Sequence, residues 1–340
     1  MMLPAEMPSQ KKSQDSQPSQ ADLLALFVMP HSPVDLPMWP RSSPNIDSQV
    51  NIFSNFGGAI LALNEAECSE SVLCASDAVV FVIDGNIGLS NDTQALWHLA
   101  QDNDIPRTVA ILNPVTGRAD FRECVAIVNR VMSDDVLVRF EVIDNDDSSQ
   151  AIGLYDLLTA EIVDYSSKTA VRRAADAEHL SLTQELSDEL IDELAHAALS
   201  DSAFANFQAD LPISLPGLVT AWNSDHIVSA TPIDGVIGID VLTQWLCART
   251  ARWTPVVEIA EGQTVSILDV PDAIGIGIGG GWIRLWHNNE TQAATRFEVI
   301  DVHSGAITFN PGHLQYLAEC NFGQTVRNQA SSAIVQEPRF

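Results

Sequence analysis

Ala78-Val79-Val80-Phe81-Val82-Ile83 is a continuous apolar run rich in β-branched residues, too short for most helices and without the polar alternation of a half-exposed strand. Such a run suits a central strand buried on both faces. Similar runs flank it at Leu24 to Met29, Val50 to Phe53, Thr108 to Leu112, Val136 to Val142 and His226 to Ser229. Amphipathic stretches lie between them. Ser90 stands as a cap before Asn91 to Gln101, where Leu96, Leu99 and Ala100 share a face. Ser181 and Gln184 have the spacing of a capping box ahead of Leu182, Leu186, Leu190, Leu194 and Ala198, which recur every fourth residue. Strands alternating with helices predict an α/β fold, a mostly parallel sheet covered by helices.

The chain has 340 residues, enough for two domains at roughly 100–200 residues each. Residues 1–22, rich in Ser, Gln, Pro and Lys, read as a disordered leader. Residues 23–253 make the α/β domain, with a mostly helical insert at about 150–224. After Trp253 the pattern changes to alternating β segments, such as Thr264 to Val270 and Arg296 to Val302, separated by turns. A β-rich second domain at 254–328 and a tail at 329–340 complete the organisation. Gly275, Gly277 and Gly280 spell a dinucleotide-loop spacing, but they alternate with Ile274, Ile276 and Ile278 and no helix follows, so a glycine-rich strand or bulge is expected.

With 45 acidic against 17 basic side chains, the net charge is -28. Phosphate is repelled over most of such a surface, which disfavours unspecific wrapping of nucleic acid and excludes DNA as an expected partner. No apolar run reaches the roughly 18 residues that span a bilayer, so no membrane partner is expected. Cys68, Cys74, Cys124, Cys247 and Cys320 are scattered with no CxxC pair and no secretory signal precedes them, a pattern that suits reduced thiols in the cytoplasm. The histidines show no metal-ligand spacing, and no metal is expected.

The run Val50-Asn51-Ile52-Phe53-Ser54-Asn55-Phe56-Gly57-Gly58 resembles the strand and loop that read INIIDTPGH in elongation factor G. The stretch from Ala59 to Val82 is similar to that family's following helix and strand. The likeness continues through Asp84-Gly85, Thr93-Gln94-Ala95-Leu96-Trp97 and Ile105-Pro106-Arg107 to Asn113, the place of the NKxD motif. Thr116-Gly117-Arg118-Ala119-Asp120-Phe121 resembles the RTGADF segment, and Gly153 to Leu158 the GVVDLV start of the insert. Ile227-Val228-Ser229-Ala230 is similar to the SAxK loop. The resemblance is collinear over roughly residues 24 to 256. It implies a translational GTPase of the elongation factor G type, with release factor 3 the closest rival, and a P-loop-GTPase-like sheet with a helical insert followed by a small barrel-like β domain.

The residues that would handle GTP are largely replaced. A phosphate loop needs inward N–H groups, a Lys for the phosphates and a Ser or Thr for magnesium. Phe27-Val28-Met29-Pro30-His31 resembles the family's GIMAH, but Ser32-Pro33-Val34-Asp35-Leu36-Pro37 follows and carries no Lys. On this alignment Ser54 stands for the magnesium-linked Asp and Gly58 for the catalytic His. Pro114, Val115 and Thr116 follow Asn113, so the guanine-reading Asp and its Lys are missing; Thr231-Pro232 replace the last Lys. Gly57, Asn113, Ser229 and Ala230 remain as vestigial nucleotide-site positions. The resemblance therefore implies a pseudo-GTPase with no catalytic residue and no cofactor, GTP and magnesium returning only in a weak or atypical GTPase. The implied partner is the ribosome or another translation factor, with a scaffold unrelated to translation as a further alternative.

Overall fold

The computed structural model describes residues 23–30, 50–53, 58–68, 73, 76–132, 134–145, 150–167, 170–200 and 214–249, and beyond them the strands of the C-terminal region. The leader, 1–22, lies outside the described residues, as do 31–37 of the phosphate-loop position.

Six parallel strands form the main sheet. They are β1 (Leu23–Met29), β3 (Gly58–Asn64), β4 (Ala78–Asp84), β5 (Arg107–Leu112), β6 (Leu137–Val138) and β11 (Ser229–Ile233), in the order β3-β1-β4-β5-β11-β6, with β2 (Val50–Phe53) antiparallel on the β3 edge. Alternate side chains of each strand enter two separate cores. Leu24, Leu26, Val28, Val79, Phe81, Ile83, Val109 and Ile111 face one side. There α1 (Asn91–Asp102) and α2 (Phe121–Met132) cover them with Trp97, Ala100, Phe121, Val125 and Met132. Ala25, Phe27, Val80, Val82, Ala110 and Leu112 face the other, under Leu242, Trp245 and Leu246 of α5 (Ile239–Cys247). Burial on both faces explains why β1 is apolar throughout and β4 is apolar up to Ile83.

Ser90 caps α1 as its position suggested, its Oγ accepting from the Thr93 amide at 3.0 Å. Trp97 was not part of the expected apolar face, yet it is fully buried against Phe81 and under the Arg107 guanidinium. At α2, Asp120 Oδ1 accepts from the Glu123 amide while Glu123 Oε2 accepts from the Asp120 amide, a reciprocal cap.

The segment from Ala59 onward, matched to a helix by resemblance, is the strand β3. A short apolar run can serve either element. The open edge of β1 decides it, because every residue from Leu23 to Met29 finds a parallel partner between Gly58 and Asn64. The final strand also shifts, from an expected His226–Ser229 to Ser229–Ile233. Its register on β5, Ser229 against Thr108 through Ile233 against Leu112, places the pairing groups three to four residues later.

The insert opens in strands before it becomes helical. β7 (Phe140–Asn145), β8 (Gln150–Asp156), β9 (Glu161–Asp164) and β10 (Val171–Ala174) form an antiparallel meander. α3 (Ala177–Ser200) and α4 (Leu215–Trp222) pack on it through Leu190, Leu194, Leu218 and Trp222, which meet Tyr155, Leu157 and Ile162. α3 begins before the suggested capping box: Asp176, not Ser181, accepts from a first-turn amide, that of His179 at 3.0 Å. Leu182, the first residue of the expected stripe, is accordingly 74% exposed, while Leu190 and Leu194 are buried. The side chain of Ala198 is outside the described residues.

The C-terminal region is β-rich. β12 (Val256–Ala260) and β13 (Gln263–Ser266) form a hairpin. β14 (Ala273–Gly279), β15 (Trp282–His287), β16 (Phe297–Ile300), β17 (Ile307–Asn310), β18 (Gln315–Tyr316), β19 (Thr325–Asn328) and β20 (Ser332–Gln336) form a sheet in the linear order β17-β16-β19-β20-β14-β15-β18. Gly275 and Gly277 lie in β14, where the register on β15 shifts between Gly277 and Gly279, and Gly280 lies outside the described residues. Residues 329–340, expected as a tail, supply β20, which joins β14 to β19.

Cys68 and Cys124 are buried and Cys247 is exposed, and none of the three is in a disulfide. Burial, with Asp120, Glu123 and Asp84 nearby, pushes the Cys124 thiol up to about 11. Of these three, Cys247 is expected to be alkylated by iodoacetamide at neutral pH in the native protein while Cys68 and Cys124 stay protected, because the thiolate is the reactive form. Peptide mass mapping after timed labelling checks this; modification of Cys124 at the rate of Cys247 would contradict it.

Candidate functional site

Ligands of an open parallel α/β sheet bind outside the carboxyl ends of its strands. On this chain that rim is made by Pro30 after β1, Asn64 and Glu65 after β3, Asp84 and Gly85 after β4, the loop from Asn113 after β5, and Asp234 after β11.

The loops of the rim are tied to one another. Asn64 Nδ2 donates to the Pro30 carbonyl at 3.2 Å, joining the ends of β1 and β3. Its Oδ1 accepts from the Ala66 amide at 3.1 Å, which turns the chain into the single helical turn Glu65–Glu67. Glu65 is 5% exposed, and its Oε2 accepts from Ser90 Oγ at 2.5 Å and from Thr93 Oγ1. This brings the end of β3 to the start of α1.

Asp84 and Asn113 form the second tie. Asn113 has a left-handed φ of 55°, a conformation Asn tolerates better than most residues. Its Nδ2 donates to Asp84 Oδ1 at 3.1 Å, and the same oxygen accepts from the Asn86 amide at 2.8 Å. Asp84 is 8% exposed. The backbone adds to this: Gly85 N donates to the Leu112 carbonyl and the Ala119 amide to the Gly85 carbonyl. Gly117 sits so close that a Cβ there would come 2.8 Å from the Asn113 carbonyl oxygen. The segment Thr116 to Phe121 therefore packs against the loop after β4, which accounts for its glycine without any ligand.

The four expected positions separate. Gly57, like Ser54, lies outside the described residues. Asn113 is on the rim and engaged with Asp84. Ser229 and Ala230 are inside the sheet, at the start of β11 and four and three residues before its carboxyl end. Both are buried, and Ser229 is bonded to Thr108, whose Oγ1 donates to the Ser229 carbonyl at 2.7 Å. Since the strand beside β1 is β3 and not Val50–Phe53, the residue at its carboxyl end is Asn64, not Ser54. An amide there still lacks the charge that a magnesium-linked carboxylate would supply.

Glu65, Ser90, Thr93 and Asp84 are not among the site positions the sequence suggests, and Ser90 is read there only as a helix cap. Glu65 and Thr93 are 28 residues apart, and only the parallel pairing of β3 with β1 and of β1 with β4 brings them together. The whole chain holds three lysines, Lys11, Lys12 and Lys168, none in a rim loop. The rim thus presents two buried carboxylates, each with one oxygen accepting two hydrogen bonds: Glu65 Oε2 from the Ser90 and Thr93 hydroxyls, and Asp84 Oδ1 from the Asn113 side-chain amide and the Asn86 backbone amide. That arrangement holds loops together chemically and repels a polyphosphate.

No protein-family model matches the chain. It is 30% identical over 150 residues to "Ribosome-releasing factor 2, mitochondrial" of Drosophila sechellia, a match covering 40% of this chain and 21% of that protein. The protein of the same name from Drosophila melanogaster is also 30% identical over 150 residues, with 40% and 20% covered. The sequence kinship is with proteins of that name. A crystal structure of a Thermus thermophilus protein superposes with a TM-score of 0.52 at 11% identity, over 84% of this chain and 43% of that one, a likeness of fold alone. The match is partial, since the chain spans about a fifth of the length of the curated relatives. Among the described residues, no helix is long and apolar enough to cross a membrane.

Proposed function

We propose that the chain is an elongation factor G-like translation-factor homologue that acts as a pseudo-GTPase, binding a partner of the translation apparatus without binding or hydrolysing GTP. The observation that carries this reading is the rim itself. Asn64, Glu65, Asp84 and Asn113 spend their polar groups on one another's loops and on backbone. No lysine is available in those loops, and Pro114, Val115 and Thr116 stand where guanine would be read. The ribosome is the partner that the names of the relatives support. The net charge of -28 directs such binding toward protein rather than bare RNA phosphate. The scattered free thiols suit a reducing compartment such as the cytoplasm.

Calorimetric titration with GTP and GDP in magnesium tests the reading. Loss of three charge-assisted contacts at about 1.5–3 kcal/mol each lowers affinity by at least about a thousandfold, so no saturable heat is expected at micromolar protein. Saturable micromolar binding that Asn113→Ala weakens would replace it with an atypical GTPase. Co-sedimentation with ribosomes tests the partner, and a chain that stays in the supernatant at low and physiological salt would favour a scaffold unrelated to translation.

A further inference from the structure

We infer that Glu65 is an internal anion that holds the turn after β3 against the start of α1 without any nucleotide, so that this part of the rim has one fixed conformation. The inference deepens the pseudo-GTPase reading by naming what replaces the ligand.

The start of a helix is where an external anion is ordinarily received, because its first amides have no partner within the helix and the macrodipole is positive there. At α1 that place is taken from inside the protein. Ser90 Oγ accepts from the Thr93 amide at 3.0 Å and sends its own proton to Glu65 Oε2 at 2.5 Å. Thr93 Oγ1 donates to the same oxygen. One carboxylate oxygen therefore collects both hydroxyls of the first turn. The chain around Glu65 is built to present it. Asn64 accepts from the Ala66 amide, and the Cys68 amide closes on the Asn64 and Glu65 carbonyls at 3.1 and 3.3 Å. Asn64 is in turn anchored to the Pro30 carbonyl. A carboxylate 5% exposed costs stability unless it is bonded in this way, so the turn and the helix start hold each other.

Hydrogen exchange on the full chain without nucleotide reads this directly, at the amides of Ala66, Cys68, Thr93 and Gln94. In Glu65→Ala these amides are expected to exchange at least about tenfold faster, while those of β1 and β4 keep their protection. Glu65→Gln, which keeps the shape and loses the charge, is expected to fall between wild type and Glu65→Ala, and it decides the matter if Glu65→Ala does not fold. Unchanged protection at these four amides in both variants would overturn the inference. A separate arm adds GTP and magnesium to the wild type. A change in protection there would sink the pseudo-GTPase reading, and the Glu65 inference would still be judged by the nucleotide-free variants.

Discussion

Asp156→Ala is expected to lower the unfolding free energy by about 3–5 kcal/mol, the size of effect seen when one partner of a buried ion pair is removed. Asp156 ends β8 with its side chain fully buried. Arg139 grips it with two parallel bonds, Nε to Oδ1 and Nη2 to Oδ2, each 2.8 Å, and the Leu158 amide donates to Oδ1 at 3.1 Å. The same guanidinium lies over Phe140 at 5.0 Å and over Trp222 at 5.7 Å. One carboxylate thus joins the entrance to the β meander, the turn after β8 and, through Arg139, helix α4. Without it Arg139 is left as a largely buried charge with no carboxylate at its fork. Urea denaturation at neutral pH measures the change, and a loss below about 1 kcal/mol would show that the insert is held by its apolar core alone.

The same group predicts a pH dependence. Burial pushes the Asp156 carboxyl up, but the Arg139 hydrogen bonds and charge outweigh burial, and the net result is a value below the ordinary one. A carboxyl depressed in the folded state adds stability that is fully present above its unfolded pKa, near about 3.9, and is lost as pH falls through the folded value. The gap in stability between wild type and Asp156→Asn is therefore expected to be constant from pH 7 to about 5 and to narrow below about 4. A gap that widens on acidification would reverse the sign and refute the assignment.

Gly238→Ala is the second large effect. Gly238 precedes α5 with a left-handed φ of 80°, and a Cβ there would lie 2.0 Å from the Pro232 carbonyl oxygen. The left-handed conformation costs a non-glycine residue about 1–2 kcal/mol. The overlap is with backbone of β11, so relief requires moving a strand of the main sheet or lifting α5, at roughly another 1–3 kcal/mol. Lifting α5 would uncover Ala110, Leu112 and Ile233 from Leu242, Trp245 and Leu246. Gly235 supplies the control. Its φ is also positive, at 60°, but nothing lies within 4 Å of an added Cβ, so Gly235→Ala is expected to cost only the conformational part. Equal thermal shifts for the two variants would show that the overlap at Gly238 is relieved without loss.

How far the sequence could be read depended on whether a residue's neighbours are local. Ser90 is a cap because the amide it bonds is three residues on, and the spacing alone reveals it. The suggested box at Ser181 and Gln184 was equally local, yet Asp176 offered its carboxylate one turn earlier and α3 began there. The stretch from Ala59 to Asn64 resembled a helix when matched by order along the chain and became a strand when the edge of β1 was available. Ser229 and Ala230 matched a loop motif in identity, but their pairing with Thr108 and Val109 put them inside the sheet.

The apolar runs, buried whichever way neighbouring elements pack, were sufficient by themselves for the α/β class and a β-rich C-terminal region. The absence of lysines from the loops at the carboxyl ends of the strands was equally open to inspection, because a missing charge cannot be restored by folding. Tertiary structure alone decided what stands in their place. Glu65 with Ser90 and Thr93, Asp84 with Asn113, and Asp156 with Arg139 are pairs separated by 17 to 29 residues. Strand register sets their meeting, and register depends on which edge is free and which face is buried, quantities that exist only once the sheet has formed.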